Sequence, residues 1–285
     1  MKVKITADST CDLSPELVAK YDIDITPLSV ILGERTGLDG REITPQDIYD
    51  YVAQTKSLPK TSAVNTVEYR RVFQHWLDQG YAVVHFCISS DFSSCYQNAC
   101  DAAKDMENVY VVDSRNLSTG QGLLVLHGAE LARQGVDAAR IQARCTALAP
   151  RVEASFVVDR IDYLYKGGRC NALSAFGANL LHIKPSIEVI DGRMEPGQKY
   201  RGHIGKVMLN YVEKRLAGRT DIDKHRIFIT HTQCKPEDVA AVRETINRLA
   251  PGFEEILDTT AGATVTSHCG PGTLGILFIR KEEKE

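Results

Sequence analysis

Short apolar segments alternate with amphipathic segments along the first half of the chain. Tyr81–Ile88 is a nearly continuous apolar run of the length expected for a buried parallel strand. Thr66–Gln79 repeats apolar residues at helical spacing and is followed by Gly80, a residue type that often ends a helix. The same reasoning predicts strands at 2–7, 23–32 and 109–112, and helices at 15–20, 45–55, 96–106, 120–134 and 137–149.

The order of these segments indicates the fold class. Strands that alternate with helices predict an α/β fold in which the first sheet is mostly parallel and carries helices on both faces. Two connecting segments are predicted to be irregular, a turn-rich stretch at 33–40 and a hydroxyl-bearing loop at Lys60–Ala63.

The second half of the chain has a different pattern. A hairpin around Asp191-Gly192 and a terminal strand at 275–280 predict a mixed sheet with helices, and a glycine-rich loop is expected at 261–275. Pro150-Arg151 marks the predicted boundary between an N-terminal α/β domain, 1–150, and a C-terminal α/β domain, 151–285, with a ligand site between them. Further strands are predicted at 154–159, 226–230 and 253–257, and helices at 162–169, 173–182, 202–216 and 236–249.

Composition excludes several classes of function. A net charge of −3 gives no basic excess, so a nucleic-acid partner is not expected. No signal peptide is recognisable, and no segment approaches the roughly 18–20 apolar residues of a membrane span. We therefore expect a cytoplasmic protein without stable membrane insertion, with transient membrane contact left open. The eight cysteines are scattered without metal-ligand spacing and are expected to be reduced thiols.

Polar residues follow three of the predicted parallel strands. They are Asp8-Ser9, Ser89–Ser94 and Asp113-Ser114. Because ligands of parallel sheets bind beyond the carboxyl ends of the strands, these loops are expected to share one edge and to suit an anion. The alternative is that the side chains only cap helices and close turns.

Known catalytic and cofactor motifs do not explain the chain. Gly270–Gly275 matches GxGxxG formally, but it runs into a strand instead of a helix, so a dinucleotide site is rejected. No P-loop, GxSxG elbow or HExxH motif is present, and neither a cofactor nor a metal is expected. Most histidines are interpreted as structural, whereas His268 lies in the predicted glycine-rich loop, where the backbone can approach a ligand.

Short motifs recur in a characteristic order and spacing along nearly the whole chain. They are Asp8-Ser9, Asp12, Thr61-Ser62, Ser89-Ser90, Ser93, Tyr96-Gln97, Val112–Ser114, Ser118, Gly120, Tyr163-Leu164, Gly167–Arg169, Lys184-Pro185 and His268–Gly272. Together they resemble the DegV family of bacterial fatty-acid-binding proteins. The resemblance implies a two-domain α/β protein that holds one long-chain fatty acid, for example of the palmitate, stearate or oleate class, with its carboxylate at the domain interface. It further implies a carrier without catalytic residues that presents the carboxylate to an ATP-dependent fatty acid kinase, which forms an acyl phosphate for phospholipid synthesis.

The family's carboxylate-binding residues carry over to five positions of this chain: Thr61, Ser62, Ser93, Arg201 and His268. The supporting loop residues implied by the resemblance are Asp8, Ser9, Ser94, Asp113, Ser114, Gly270 and Gly272. The sequences Ser62–Asn65 and Ser94-Cys95 depart from the family pattern, which affects the loop shape near the head group. Candidate tail-lining residues, for which core packing is the alternative, are Ala172, Phe176, Ala178, Leu180 and Ile183.

The free energies of burying the tail and of hydrogen bonding the head group agree with these implied roles. Burying a 16-carbon acyl chain gains roughly 10 kcal/mol, and each hydrogen bond to a charged head group adds about 1.5–3 kcal/mol. The tail would therefore supply affinity and the polar groups orientation. Two alternatives stay open: an enzyme for a small phosphorylated or carboxylated metabolite that uses Asp8, Asp113 and His268 as acid–base groups, and a regulatory protein with purely structural serine loops.

Overall fold

The computed structural model describes residues 1–173 and 183–282, and these form thirteen strands and ten α-helices. The strands are β1 (Lys2–Asp8), β2 (Asp24–Thr26), β3 (Ser29–Leu32), β4 (Arg35–Leu38), β5 (Lys60–Ser62), β6 (Tyr81–Cys87), β7 (Val109–Asp113), β8 (Val152–Val157), β9 (Lys184–Ile190), β10 (Arg193–Tyr200), β11 (Ile222–Thr232), β12 (Glu255–Thr260) and β13 (Thr273–Arg280). The helices are α1 (Pro15–Tyr21), α2 (Pro45–Thr55), α3 (Thr66–Asp78), α4 (Cys95–Ala103), α5 (Ser118–Arg133), α6 (Ala138–Leu148), α7 (Ile161–Gly167), α8 (Ile204–Leu216), α9 (Pro236–Leu249) and α10 (Ala263–Cys269).

The first sheet is parallel and has the order β2-β1-β6-β7. Its central strand β6 alternates its side chains between two cores, as the pleat of a strand requires. Val84 and Phe86 pack with α1, α5 and α6, whereas Val83 and Cys87 pack with α3 and α4. The predicted α/β fold with a mostly parallel sheet and helices on both faces is confirmed.

The segment between α1 and α3 differs from the prediction. The single strand predicted at 23–32 is two strands, β2 and β3, which belong to different sheets. Pro27 separates them, because proline has no N–H group to continue the ladder. The turn-rich stretch at 33–40 contains β4, and the predicted loop at Lys60–Ala63 contains β5, so that both complete a small antiparallel sheet of order β4-β3-β5.

The second sheet is mixed, as predicted, and has the order β10-β9-β8-β13-β11-β12. Only the β11–β12 pair is parallel among the strand pairs of this sheet in the described residues. The hairpin turns at Asp191-Gly192, and both residues have positive φ values of 48° and 82°. Helices α8 and α9 cover one face of the sheet with a core that includes Tyr211 and Ile246.

Helix α5 joins the two halves of the molecule. Twelve of its sixteen residues are buried, because it packs against β1 and β6 of the first sheet and against β8, β11 and β13 of the second. One core therefore contains Ile5 and Leu124 together with Ala154 and Leu277. The boundary between 1–150 and 151–285 stays a prediction, since the two halves share this helix.

Two further expectations concern the second half. Most of the helix predicted at 173–182 lies outside the described residues, as do the tail-lining candidates Phe176, Ala178 and Leu180. The glycine-rich loop predicted at 261–275 contains α10, which places His268 in the last turn of a helix. Among the described residues, no helix is long and apolar enough to cross a membrane.

Two acidic residues of the N-terminal half hold the start of α10. The Gly262 and Ala263 N–H groups donate to Asp12 and Asp39, each at 2.8 Å. Carboxyl oxygens satisfy N–H groups that a helix leaves unpaired at its first turn. A seven-residue helix is too short to be stable alone, so these contacts are what fixes its position.

Asp12 is buried, with 6% of its surface exposed. Burial raises its pKa to about 8, against the lowering effect of hydrogen bonds from Ser118, whose hydroxyl donates at 2.5 Å, and from Gly262. The unfolded Asp12 side chain loses its proton near pH 4, so the folded protein holds one more proton between about pH 4 and pH 8. Asp12 therefore favours the folded state most below pH 4, and this contribution is lost as the pH rises through 8.

Asp12→Asn should weaken the pH dependence of stability between pH 5 and pH 8. The amide keeps an oxygen for the Gly262 N–H and cannot ionise, so the wild type should lose more free energy of unfolding than the variant over this range. Urea denaturation at both pH values measures the difference, with the exposed Asp105→Asn as the matched control. If the free energy of unfolding changes equally with pH in the wild type and in Asp12→Asn, the raised pKa of Asp12 is contradicted.

Candidate functional site

A cavity of about 140 Å³ lies where the two halves meet. Its apolar lining residues are Leu28, Ala63, Ile88, Phe92, Leu117, Met194, Val265 and Cys269. Its polar lining residues are Thr61, Ser93, Ser94, Arg169, Thr264 and His268. The cavity thus combines residues of β5, of the loop after β6 and of α10 with residues near α7.

Polarity changes along the cavity. Ser94 and Arg169 are exposed at its mouth, and Thr61, Ser93 and His268 are half-buried behind them. The inner wall is buried and mostly apolar. Leu117, Val265 and Cys269 also line a second cavity of about 30 Å³, so these three residues lie between the two spaces. A ligand with one polar end and an apolar body matches this gradient.

Thr61 and His268 are far apart in the sequence but lie in contact in the fold. The Thr61 hydroxyl and His268 Nε2 share a hydrogen bond of 2.8 Å. Strand β5 directs Thr61 to the cavity, and the next residue, Ser62, is exposed, as the alternation of a strand requires. The Ser62 hydroxyl lies 3.5 Å from the Ala63 carbonyl.

The His268 ring is uncharged at neutral pH. Burial, together with the positive charge of Arg169, lowers its pKa to about 4. A neutral imidazole has one donor and one acceptor nitrogen. Nε2 bonds Thr61, whereas Nδ1 is buried without a hydrogen-bond partner in the described part of the chain and faces Gly167, where an added Cβ would lie 2.7 Å away.

Ser93 and Ser94 occupy the end of the turn between β6 and α4. Ser93 Oγ accepts a hydrogen bond from the Cys95 N–H at 3.3 Å. The Phe92 and Ser93 N–H groups donate to the Ser89 carbonyl, which closes the turn. The turn therefore directs Ser93 to the cavity immediately before α4 begins.

The turn is also tied to the β9–β10 hairpin. Asp91 forms ion pairs with Arg115 at 2.7 Å and with Arg193 at 2.9 Å. The Ser89 hydroxyl donates to the Gly192 carbonyl at 2.8 Å. Met194, on the same hairpin, lines the cavity, so these contacts hold one cavity wall against the serine turn.

The predicted supporting loops share one edge of the first sheet, because Cys87 pairs with Asp113 and the Ile88 N–H donates to Asp8. Asp113 accepts hydrogen bonds from the Ser90 and Arg115 N–H groups. Behind them, the Ser9 hydroxyl donates to Asp39 at 2.8 Å and the Ser114 hydroxyl to the Asn116 carbonyl at 3.1 Å. These residues shape the loops, while of the supporting set Ser94 also lines the cavity.

Gly270 and Gly272 follow α10 with φ values of 70° and 72°, a region that favours glycine. A Cβ at Gly270 would lie 2.6 Å from the Tyr163 ring, and one at Gly272 would lie 2.8 Å from Cβ of Asp159. The two glycines allow the chain to turn tightly behind His268 and enter β13.

The cation at the cavity is Arg169, whereas sequence reasoning selected Arg201. Arg201 is exposed just after β10, and its carboxylate-binding role stays a prediction. Arg169 follows α7, and its guanidinium donates to the Gly167 carbonyl at 2.8 Å. The motif Gly167–Arg169, one of those that carry the family resemblance, was the sequence signal that pointed to Arg169. Thr264 is a second cavity residue that sequence reasoning missed, because it lies in the segment predicted to be a loop.

Asp8, His85 and Cys87 form a buried group whose potential metal-ligand atoms lie within 4.8 Å of one another. Asp8 already accepts hydrogen bonds from the Tyr69 hydroxyl at 2.6 Å and from the Ile88 N–H at 3.1 Å. The two ring nitrogens of His85 bond Thr6 and Asp8, and burial raises the pKa of the Cys87 thiol well above its usual value. The group therefore acts as a hydrogen-bond cluster that holds the end of β6.

The fold and the cavity define a class: a two-domain α/β protein with a cavity between its halves that is polar at the mouth and apolar inside. The chain belongs to the DegV family, since the family model described as "Uncharacterised protein, DegV family" matches residues 2–281. It is 32% identical over 280 residues to a DegV domain-containing protein of Deinococcus radiodurans, covering 97% of this chain and 98% of that one. The resemblance drawn from the sequence is confirmed.

Two solved structures are similar over nearly the whole chain. One is a DegV family protein from Thermus thermophilus, described as binding fatty acid, with a TM-score of 0.87, 31% identity and coverage of 98% of this chain and 100% of that one. The other is a DegV lipid-binding protein from Thermotoga maritima, with a TM-score of 0.85, 29% identity and full coverage of both chains.

The His268 ring should stay uncharged down to about pH 5 in the ligand-free protein, because charging it would leave a cation in a buried position beside Arg169. His225 is the internal control, since its hydrogen bond with Glu254 raises its pKa. Histidine ring NMR signals, assigned with His268→Gln and His225→Gln variants, follow both titrations. A His268 midpoint near pH 6.5 would contradict the described environment.

Proposed function

We propose that this protein binds a long-chain fatty acid, with the carboxylate at Thr61, Ser93 and His268 and the acyl tail in the apolar interior. The observation that carries the proposal is the polarity gradient of the cavity, from Arg169 at the mouth to Val265 inside. Fatty-acid and lipid binding by the two similar structures supports the same ligand class.

The head group requires hydrogen bonds as it leaves water, because an unpaired carboxylate is costly to bury. The hydroxyls of Thr61 and Ser93 can donate to it. The neutral ring of His268 has one N–H, which at Nε2 donates either to the Thr61 hydroxyl, leaving the Thr61 proton for the carboxylate, or to the carboxylate directly. Arg169 adds a positive charge at the mouth without a full buried ion pair, so the carboxylate keeps its negative charge.

The acyl tail supplies most of the affinity. Each buried CH₂ group contributes about 0.8 kcal/mol. Leu117, Val265 and Cys269 form an apolar wall between the larger cavity and the smaller one, and in this proposal the tail packs against that wall. This wall gives the tail a direction away from the mouth, and the head group consequently stays near the surface.

A carboxylate at the mouth is accessible to a second protein. We propose that a separate fatty acid kinase phosphorylates it: a carboxylate oxygen forms a bond to the γ-phosphorus of ATP, the bond to the ADP oxygen breaks, and an acyl phosphate for phospholipid synthesis results. In this scheme the chain is a cytoplasmic carrier, and the kinase supplies ATP and the catalytic groups. The uncharged His268 ring suits this role because it orients the nucleophile without neutralising it.

Thr61→Val should weaken palmitate binding about tenfold or more, because it removes a hydrogen bond to a charged group while keeping the side-chain volume. Thr36→Val is the matched control: it makes the same change at an exposed threonine on β4 of the same small sheet, away from the cavity, and should leave the dissociation constant unchanged. Displacement of a fluorescent fatty acid measures both variants. Equal affinities for the wild type and Thr61→Val would reject this head-group site.

A further inference from the structure

The Thr264 hydroxyl is a polar group that the proposed head-group site does not use. Thr264 lines the cavity, only 4% of its surface is exposed, and its Oγ1 has no hydrogen-bond partner within residues 1–173 and 183–282. A buried hydroxyl without a partner is unfavourable, and most buried polar groups in proteins are paired.

Other hydroxyls of the same helix are satisfied within the protein. The Thr266 hydroxyl donates to the Ala261 carbonyl at 3.3 Å, and the Ser267 hydroxyl donates to the Ala263 carbonyl at 2.8 Å. Thr264 has instead an unpaired, buried hydroxyl on a side chain that lines the cavity. Because valine has the same shape without the hydroxyl, tail packing alone does not account for threonine here.

The place of Thr264 on α10 limits what its partner can be. Thr264 and His268 are four residues apart, so they lie on one face of the helix with their Cβ atoms about 5–6 Å from each other. His268 is half-buried, whereas Thr264, one helical turn before it, is buried. A ligand whose carboxylate is at His268 would therefore pass Thr264 within the first few carbon atoms of its chain.

We propose that the cavity accepts a fatty acid with a hydroxyl group close to the carboxyl end and that Thr264 recognises this hydroxyl by a hydrogen bond. The inference rests on the proposed fatty-acid function and specifies its substrate class. The hydroxyl of the fatty acid and the hydroxyl of Thr264 can each donate and accept a hydrogen bond, so they can pair with each other. The cavity wall around them, which includes Leu117 and Val265, is otherwise apolar. An unsubstituted fatty acid leaves the Thr264 hydroxyl unpaired.

The test compares palmitate with 3-hydroxypalmitate on the full-length protein. The wild type should bind 3-hydroxypalmitate more tightly, and Thr264→Val should lower this preference about tenfold, equivalent to about 1.4 kcal/mol. Thr264→Ser retains a hydroxyl and should retain the preference. Thr266→Val, the matched control on the same helix, should leave it unchanged, and thermal unfolding verifies that each variant is folded.

The outcomes separate the two proposals. If neither lipid binds to the wild type, the fatty-acid function itself fails. If palmitate binds but the preference is equal in the wild type and Thr264→Val, the hydroxyl-recognition proposal is wrong. If Thr264→Val weakens the binding of both lipids equally, the Thr264 hydroxyl binds the carboxylate instead, and the hydroxyl-recognition proposal is also wrong.

Discussion

The contact of Asp12 and Asp39 with the start of α10 is the interaction on which the site depends. It joins the first and last parts of the chain, since Asp12 accepts from Gly262, 250 residues away. Asp12 accepts this bond as a protonated carboxyl group at neutral pH, because burial raises its pKa to about 8. By fixing the first turn of α10, Asp12 and Asp39 fix the position of His268 in its last turn.

The electrostatics of the site follow from this arrangement. The folded protein keeps His268 uncharged because the ring is largely enclosed and Arg169 is nearby. A neutral ring, two hydroxyls and one cation at the mouth can stabilise a carboxylate without protonating it. The deeper wall offers apolar surface and the Thr264 hydroxyl, so head-group binding and tail selection are assigned to different depths of one cavity.

Much of the fold could be predicted because local signals agree with it. Helix α2 begins at Thr44 with a complete capping box, and α3 begins at Asn65, whose side chain accepts from the Glu68 N–H. The apolar run at Tyr81–Ile88 is the central strand of the first sheet. The predicted residues Thr61, Ser93 and His268 line one cavity, although the local pattern alone could not show that they meet.

The errors occur where distant contacts decide local structure. β5 has three residues and exists because β3 pairs with it, and α10 depends on carboxyl groups more than 220 positions away. β5 follows Pro59 and is too short to show an alternating pattern, and α10 lies between Gly262 and Gly270. The position of Arg169 at the cavity depends on how the segment after α7 packs, which the spacing of residues does not encode. The carboxylate-binding role of Arg201 stays a prediction.

The most direct test of the account is a crystal structure of the protein with palmitate bound. We expect a carboxylate oxygen within hydrogen-bonding distance of Thr61 Oγ1 or His268 Nε2, with the tail packed against Leu117 and Val265. A carboxylate bound elsewhere, or a tail that leaves this cavity, would contradict the central claim that α10 positions the head-group site.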